Sequence, residues 1–155
     1  MNIYLAGPIC GLTLSEAEDW RVYAKEHLHP ELSVINPLRT KEPDMDPAEV
    51  IGQVFEQGAH ATFQAVAGRC LFDVGRTDVI LAYMPDNWPK NEIEWPSIGT
   101  LIEIGWARAA GIPVVLACQD KRIVGHPLID NACPWIVFTL AEAIKVVNDI
   151  TEDYL

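Results

Sequence analysis

Short apolar runs alternate with amphipathic segments along this chain, in the order expected of strands that alternate with helices. Five runs predict strands, because β-branched and aromatic residues dominate them and Gly, Pro or Asn residues bound them. The predicted strands cover residues 2–6, 32–35, 79–83, 113–117 and 135–138. Strands separated by helices predict one parallel sheet with right-handed crossovers and helices on both faces.

Four segments have the apolar periodicity of helices. The first helix follows the first strand, with Ser15 and Glu18 spaced as a capping box. The second is predicted over residues 47–70, because proline suits its first turn. The third covers residues 97–111 and the last covers residues 140–150. A polar loop is expected at residues 125–131.

Composition and charge limit the classes of protein that fit. The chain has 155 residues, of which 50% are hydrophobic and 21% charged, which predicts one globular domain over residues 1–155. A net charge of −11, with only 11 Lys and Arg residues, argues against nucleic acid as a partner. No apolar run reaches the roughly 18–20 residues that span a bilayer, and no signal peptide is evident. We therefore expect a cytoplasmic protein without a membrane partner.

The cysteines and the first loop give no indication of a metal or cofactor. Cys10, Cys70, Cys118 and Cys133 have neither CxxC nor Cys/His spacing, which favours reduced structural thiols over zinc or disulfides. The loop at residues 7–11 lacks the glycine pattern of a dinucleotide site, and no acidic residue ends the second strand. We therefore expect neither a metal nor a cofactor.

Glu103 is a lone carboxylate inside the apolar helical segment of residues 97–111, where Ile102 and Ile104 are its neighbours. Burial of an unpaired carboxylate is costly, so this position predicts a side chain that faces a pocket. Asp78 opens the third strand, which leads to this helix. We therefore expect Asp78 and Glu103 to converge on one edge of the sheet.

The start of the same helix is a candidate anion site. Ser97, Gly99 and Thr100 bring hydroxyl groups and free backbone N–H groups to a helix N-terminus, which suits a small anion. An ordinary N-cap at Ser97 is the alternative. Six helical residues span roughly 9 Å, so a pentose phosphate has the reach to join Ser97 to Glu103.

Ligands of an open parallel sheet bind beyond the carboxyl ends of its strands. The loop after the first strand lies at that edge, so Gly7 and Ile9 are candidate substrate contacts. Asp73 is a further candidate for the base pocket, and a solvated carboxylate at a helix end is its alternative. Trp88 and Trp95 precede the anion site, where they are suited either to stack on a base or to contact another subunit.

Several segments resemble the nucleoside 2-deoxyribosyltransferases and their relatives, the 2′-deoxynucleoside 5′-monophosphate N-hydrolases. Residues 3–7 resemble the first strand and turn of that family, with Tyr4 at the tyrosine that hydrogen-bonds the nucleophile. Asp78 matches the acid that protonates or orients the base, and Glu103, within residues 99–107, matches the nucleophile. The resemblance covers nearly the whole chain. It implies a flavodoxin-like α/β fold with a five-stranded parallel sheet in the order 2-1-3-4-5.

The resemblance also implies a reaction. Glu103 attacks C1′ of the sugar to form a glycosyl ester, and water or a second base resolves it. Six residues before the nucleophile, the transferases have an Asp that accepts from the sugar 5′-hydroxyl, whereas this chain has Ser97. This departure favours hydrolysis of a nucleoside 5′-monophosphate. Base transfer between deoxynucleosides and a non-catalytic nucleotide-binding module are the alternatives.

Family members are homo-oligomers in which a neighbouring subunit completes the active site. By resemblance, the expected partners are therefore a small nucleoside or nucleotide and further copies of this chain. The loop at residues 125–131 is the segment expected to reach across to the neighbouring subunit.

Overall fold

The computed structural model describes residues 1–41, 44–52, 62–85 and 96–155. Its strands are β1 (Asn2–Ala6), β2 (Ser33–Ile35), β3 (Val79–Met84), β4 (Val114–Cys118) and β5 (Trp135–Val137). Its helices are α1 (Leu14–His27), α2 (Phe63–Val74), α3 (Ile98–Ala110), α4 (Pro127–Ala132) and α5 (Leu140–Thr151), with short 3-10 helices at Pro37–Thr40 and Glu152–Tyr154.

All five strands are parallel, in the order β2-β1-β3-β4-β5. The predicted α/β fold and strand order are thereby confirmed. The register pairs Tyr4 with Ile80 and Ile80 with Val114 across the three central strands. Carboxyl ends of β1 and β3 therefore meet at one edge of the sheet, where the chain continues toward α1 and α3.

Side chains alternate between the two faces of the sheet and build two apolar layers. One layer packs Ile3, Leu5 and Leu81 against α1 and α5. The opposite layer packs Tyr4 and Ile80 with residues of α2, α3 and α4. Tyr4 thus faces α3 because its position in β1 has the parity of that layer. Within the described residues, no helix has both the length and the apolar character needed to cross a membrane.

The predicted helix over residues 47–70 is wrong in its first part. Residues 47–49 form a turn, and α2 begins at Phe63. Tertiary hydrogen bonds explain the difference, because Ile51 N–H donates to Leu12 O at 2.7 Å and Gly11 N–H donates to Ile51 O at 2.9 Å. The buried Ile51 side chain anchors this segment beside the start of α1. Residues 53–61 of the predicted helix, Val54 and Ala61 among them, lie outside the described residues.

Two local predictions need further correction. The capping box of α1 joins Thr13 and Glu16, two residues earlier than Ser15 and Glu18. A polar loop was expected at residues 125–131, but residues 127–131 belong to α4 instead. Proline at the first helical position starts α4, and the His126 side chain caps it by accepting from Leu128 N–H at 3.3 Å.

Gly7 lies where the chain leaves β1, in a space that has no room for a side chain. An added Cβ would approach the Trp20 ring within 2.5 Å and the Tyr83 carbonyl oxygen within 3.0 Å. Trp20 has little freedom to move, because it is buried and its ring packs 5.3 Å from that of Tyr83.

Gly7→Ala is therefore expected to lower the free energy of unfolding by about 1–3 kcal/mol, because overpacking displaces the Trp20 ring or the loop. Gly105→Ala is the matched control, since nothing lies within 4 Å of a Cβ at that helical position. It should raise the free energy of unfolding by roughly 0.5–1 kcal/mol through helix propensity. Denaturant unfolding of both variants measures this difference, and equal stabilities would contradict the packing argument.

Candidate active site

Tyr4 and Glu103 form a buried hydrogen-bonded pair between β1 and α3. The Tyr4 hydroxyl donates to Glu103 Oε1 at 2.6 Å. Tyr4 is fully buried, and Glu103 retains 8% exposure. The expected hydrogen bond between these two side chains is therefore present, across 99 residues of sequence.

Glu103 has a perturbed pKa because its carboxylate has little water around it. Burial raises this pKa from an ordinary value of 4.5 to about 7, and the negative charge of Asp73 acts in the same direction. Three groups oppose the rise: the hydrogen bond from Tyr4, the charge of Arg21 and a hydrogen bond from the Cys70 thiol. Near neutral pH, the carboxyl group therefore exchanges readily between its acid and its nucleophilic carboxylate form.

The two uncharged neighbours of Glu103 act as hydrogen-bond donors. Burial, together with the Glu103 charge, raises the pKa of Tyr4 far above its usual value and that of Cys70 to about 11. Both groups are therefore neutral at pH 7. Cys70, expected as a structural thiol, thus belongs to the site. The sequence indicates this by its spacing, because Cys70 precedes Asp73 by three residues and both side chains therefore lie on one face of α2.

Arg21 is a buried cation on α1 that sequence reasoning missed. Its side chain is 1% exposed, and the guanidinium group lies 4.4 Å from the centroid of the Trp20 ring. Nη2 donates to the Gly7 carbonyl oxygen at 2.8 Å, and Nη1 donates to the carbonyl oxygens of Pro8, at 3.3 Å, and Ala17. Burial lowers the pKa of Arg21 to about 10, so it is charged at neutral pH. In the sequence, the indication of a buried charge was that Arg21 is a single cation among the apolar residues on one face of α1.

Asp73 lies at the end of α2, where it is buried and ion-paired. Arg39 Nη2 donates to both carboxylate oxygens of Asp73, at 2.9 and 2.7 Å. The alternative of a solvated Asp73 is therefore wrong. Because α2 packs on the side of the sheet that carries Tyr4 and α3, this ion pair lies on the side of the candidate nucleophile, and the Asp73 charge acts on Glu103.

Ser97 caps α3, as its ordinary structural alternative predicts. Ser97 Oγ accepts from Thr100 N–H at 3.4 Å and from Thr100 Oγ1 at 2.9 Å. Thr100 is buried, whereas Gly99 is exposed and has open space around it. At the adjacent edge of the sheet, Gly7 is buried and Ile9 is partly exposed.

Asp78 does not lie with Glu103. Its Oδ2 accepts from Asn2 N–H at 2.7 Å, and its own N–H donates to Asn2 O at 2.9 Å. Both residues stand at the amino ends of β1 and β3, opposite the edge from which the chain enters α3. The expectation that Asp78 and Glu103 converge is therefore wrong, because Asp78 precedes its strand and α3 follows it.

Two further candidates cannot be compared with the site. Trp88 and Trp95, predicted either to stack on a base or to contact another subunit, lie outside the described residues. None of the four cysteines forms a disulfide within the described residues, and within the same ranges no group of His, Cys, Asp and Glu side chains has the arrangement of a metal site.

Comparison with known proteins places this geometry in a family. The family model of nucleoside 2-deoxyribosyltransferases matches residues 3–135. No curated protein sequence matches this chain significantly. Since the family model spans most of the chain, the protein belongs to the nucleoside 2-deoxyribosyltransferase family. It is therefore an enzyme of the kind that transfers or releases bases at N-glycosidic bonds.

Solved structures share the fold at low sequence identity. A 2-deoxyribosyltransferase from Bacillus psychrosaccharolyticus is 17% identical, with a TM-score of 0.61 over 96% of this chain and 91% of that one. A CMP N-glycosidase from Clostridium botulinum is 19% identical, with a TM-score of 0.51 over 96% and 98%. A molybdenum cofactor binding protein from Rippkaea orientalis is 16% identical, with a TM-score of 0.54 over 96% of each chain. These likenesses show the fold.

Glu103→Gln is expected to stabilise the protein more at pH 8 than at pH 5. The folded-state pKa of about 7 exceeds the ordinary 4.5, so wild-type stability falls as the pH rises between these values and is level above them. Gln carries no charge and still accepts from Tyr4. Thermal unfolding between pH 5 and pH 8 measures the free energy of unfolding of both proteins. The difference in favour of Glu103→Gln should grow by about 3 kcal/mol over this range. A pH-independent difference would contradict the raised pKa.

Proposed function

We propose that the protein cleaves the N-glycosidic bond of a (2′-deoxy)nucleoside 5′-monophosphate and releases the free base, through a glycosyl ester on Glu103. The observation that carries this proposal is the buried carboxylate of Glu103, held at 2.6 Å by the neutral Tyr4 hydroxyl. A hydrogen bond from a fixed donor orients one oxygen and leaves the other for attack on C1′.

The reaction follows the retaining route of glycoside cleavage. The Glu103 carboxylate bonds to C1′ as the C1′–N bond breaks, and the bonding electrons leave with the base, which takes a proton from solvent water. A water molecule then attacks C1′ and releases one proton to the solvent, the ester bond between Glu103 and C1′ breaks, and Glu103 returns to its carboxylate form. Tyr4 stabilises the carboxylate before attack and again when it departs from the sugar.

The proposed preference for a substrate with a 5′-phosphate rests on the first turn of α3. Ser97 is uncharged and does not repel a phosphate, and the helix N-terminus favours anions. Gly99 and Thr100 belong to the same first turn of the helix, and Gly7 and Ile9 belong to the loop after β1, so all are proposed substrate contacts. Asp73 is proposed to line the base pocket through its position beside Glu103. Base transfer between deoxynucleosides remains the alternative, because the same ester serves both outcomes.

A homo-oligomer with shared active sites belongs to the same proposal. The exposed side chains of Ile98 and Ile102 support it, because they form an apolar stripe on the helix that carries Glu103. Such a stripe suits contact with a second copy of the chain.

Glu103→Ala is expected to abolish release of free base, because no nucleophile remains, while the far-ultraviolet circular dichroism stays that of the wild type. A 2-fluoro sugar substrate should add its sugar mass to wild-type Glu103, since fluorine slows hydrolysis of the ester. Chromatography of free base and mass spectrometry of peptides measure both effects. Tyr4→Phe is the companion variant and should retain partial activity. Base release at the wild-type rate by Glu103→Ala would overturn the proposal.

Ser97→Asp is expected to shift the substrate preference from the monophosphate toward the nucleoside. Asp caps a helix as well as Ser does, so α3 should stay intact, but its charge repels a 5′-phosphate. The ratio of kcat/KM for a monophosphate to kcat/KM for its nucleoside should fall at least tenfold, which is about 1.4 kcal/mol of discrimination. Ser97→Asn is the control, because it caps without charge. Equal losses on both substrates, or a wild-type preference for the nucleoside, would favour base transfer and leave Ser97 as a cap only.

A further inference from the structure

The buried side chain of Arg21 holds the loop between β1 and α1, residues 7–13, by hydrogen bonds to its backbone. The guanidinium group donates to the carbonyl oxygens of Gly7 and Pro8, the first two residues of this loop. In a trans peptide the N–H of the next residue points opposite to the carbonyl group. Since the Pro8 carbonyl points toward Arg21, the Ile9 N–H is directed to the other side of the loop. Arg21 therefore determines which way the proposed substrate contact at Ile9 presents its amide.

Arg21 also acts on the charge of Glu103. The titratable and charged groups that face Glu103 are Tyr4 from β1, Arg21 from α1, and Cys70 and Asp73 from α2. Of these, Arg21 carries the positive charge. Its own surroundings include Glu18 and Tyr4 besides Glu103. A cation with so little access to water exerts a stronger field on a nearby carboxylate than a solvated one.

Stability alone does not account for a buried arginine at this place. Removing a guanidinium group from water is costly, and an apolar side chain of similar volume is often at least as stabilising. Arg21 Nε also has no hydrogen-bond partner among the described residues. The interactions that require arginine here are those with the two loop carbonyl groups and with the carboxylate.

We propose that Arg21 is a positioning residue of the reaction, which holds the loop of residues 7–13 in its substrate-binding shape and supplies a buried positive charge that favours the carboxylate form of Glu103. The inference rests on the proposed function, because it takes Glu103 to be the nucleophile. A single side chain on α1 would thus affect both the binding of the sugar and the ionisation of the carboxyl group that attacks it.

Three substitutions separate the two effects of Arg21. Arg21→Met removes the charge and the hydrogen-bond donors, Arg21→Gln removes the charge and keeps an amide donor, and Arg21→Lys keeps the charge without the guanidinium fork. Lys25→Met is the matched control, because this exposed lysine lies one turn further along the same helix, α1.

Loss of the charge should move the low-pH limb of the kcat/KM profile to higher pH, because the pKa of Glu103 then rises and its ionisation needs a higher pH. We expect about one pH unit for Arg21→Met and Arg21→Gln. Arg21→Lys should keep the wild-type limb and raise KM several-fold, because one ammonium group does not hold both carbonyl oxygens. Lys25→Met should change neither quantity.

Infrared titration of the carboxyl group tests the electrostatic part without turnover. The Glu103 band is identified by its loss in Glu103→Gln, and it should titrate at higher pH in Arg21→Met and Arg21→Gln than in Arg21→Lys or the wild type. If Arg21→Met does not fold, Arg21→Gln carries the comparison. An unchanged Glu103 titration in the charge-free variants, or an unchanged KM in Arg21→Lys, overturns this inference. A wild-type protein that releases no base overturns the proposed function instead.

Discussion

The main constraint on the structure around the site is the Glu103 carboxylate, which lies largely out of water. An uncompensated carboxylate in this setting would cost several kcal/mol. Three elements supply compensation: β1 through the Tyr4 hydroxyl, α2 through the Cys70 thiol, and α1 through the Arg21 charge. Because each of these three groups comes from a different element, the packing of the helices on the sheet decides the chemistry of the carboxyl group. The resulting pKa, near 7, suits a group that must be a carboxylate to attack and a good leaving group afterwards.

Arg21 and Gly7 connect this electrostatic centre with the shape of the binding edge. Gly7 permits β1 to end against the Trp20 ring, since a Cβ would overlap it. Trp20 in turn packs on the guanidinium group that holds the loop carbonyl oxygens. Close packing at the end of β1 and the position of a buried charge are therefore parts of one arrangement, in which α1 contributes to the site although it lies on the face opposite α3.

Much of the fold could be predicted because its signals are local. Apolar runs bounded by glycine and proline located all five strands to within one or two residues, and Ser97 and Gly111 bound α3 as expected. Residues 47–52 escaped prediction because their hydrogen bonds go to residues 11–15, more than 30 positions away in sequence. The short α4 was missed because one and a half turns carry too little periodicity to distinguish a helix from a polar loop.

By itself, the sequence determined the order of elements, the parallel sheet and the singular position of Glu103, because side-chain periodicity reports which face of an element is buried. The tertiary structure decided which polar groups meet that carboxylate. It brought Cys70 and Arg21 into the site, paired Asp73 with Arg39, and left Asp78 at the amino ends of the strands. Periodicity defines a face but neither the end of the sheet at which a residue lies nor its distance from residues on other elements. Those depend on packing between segments that are remote in sequence.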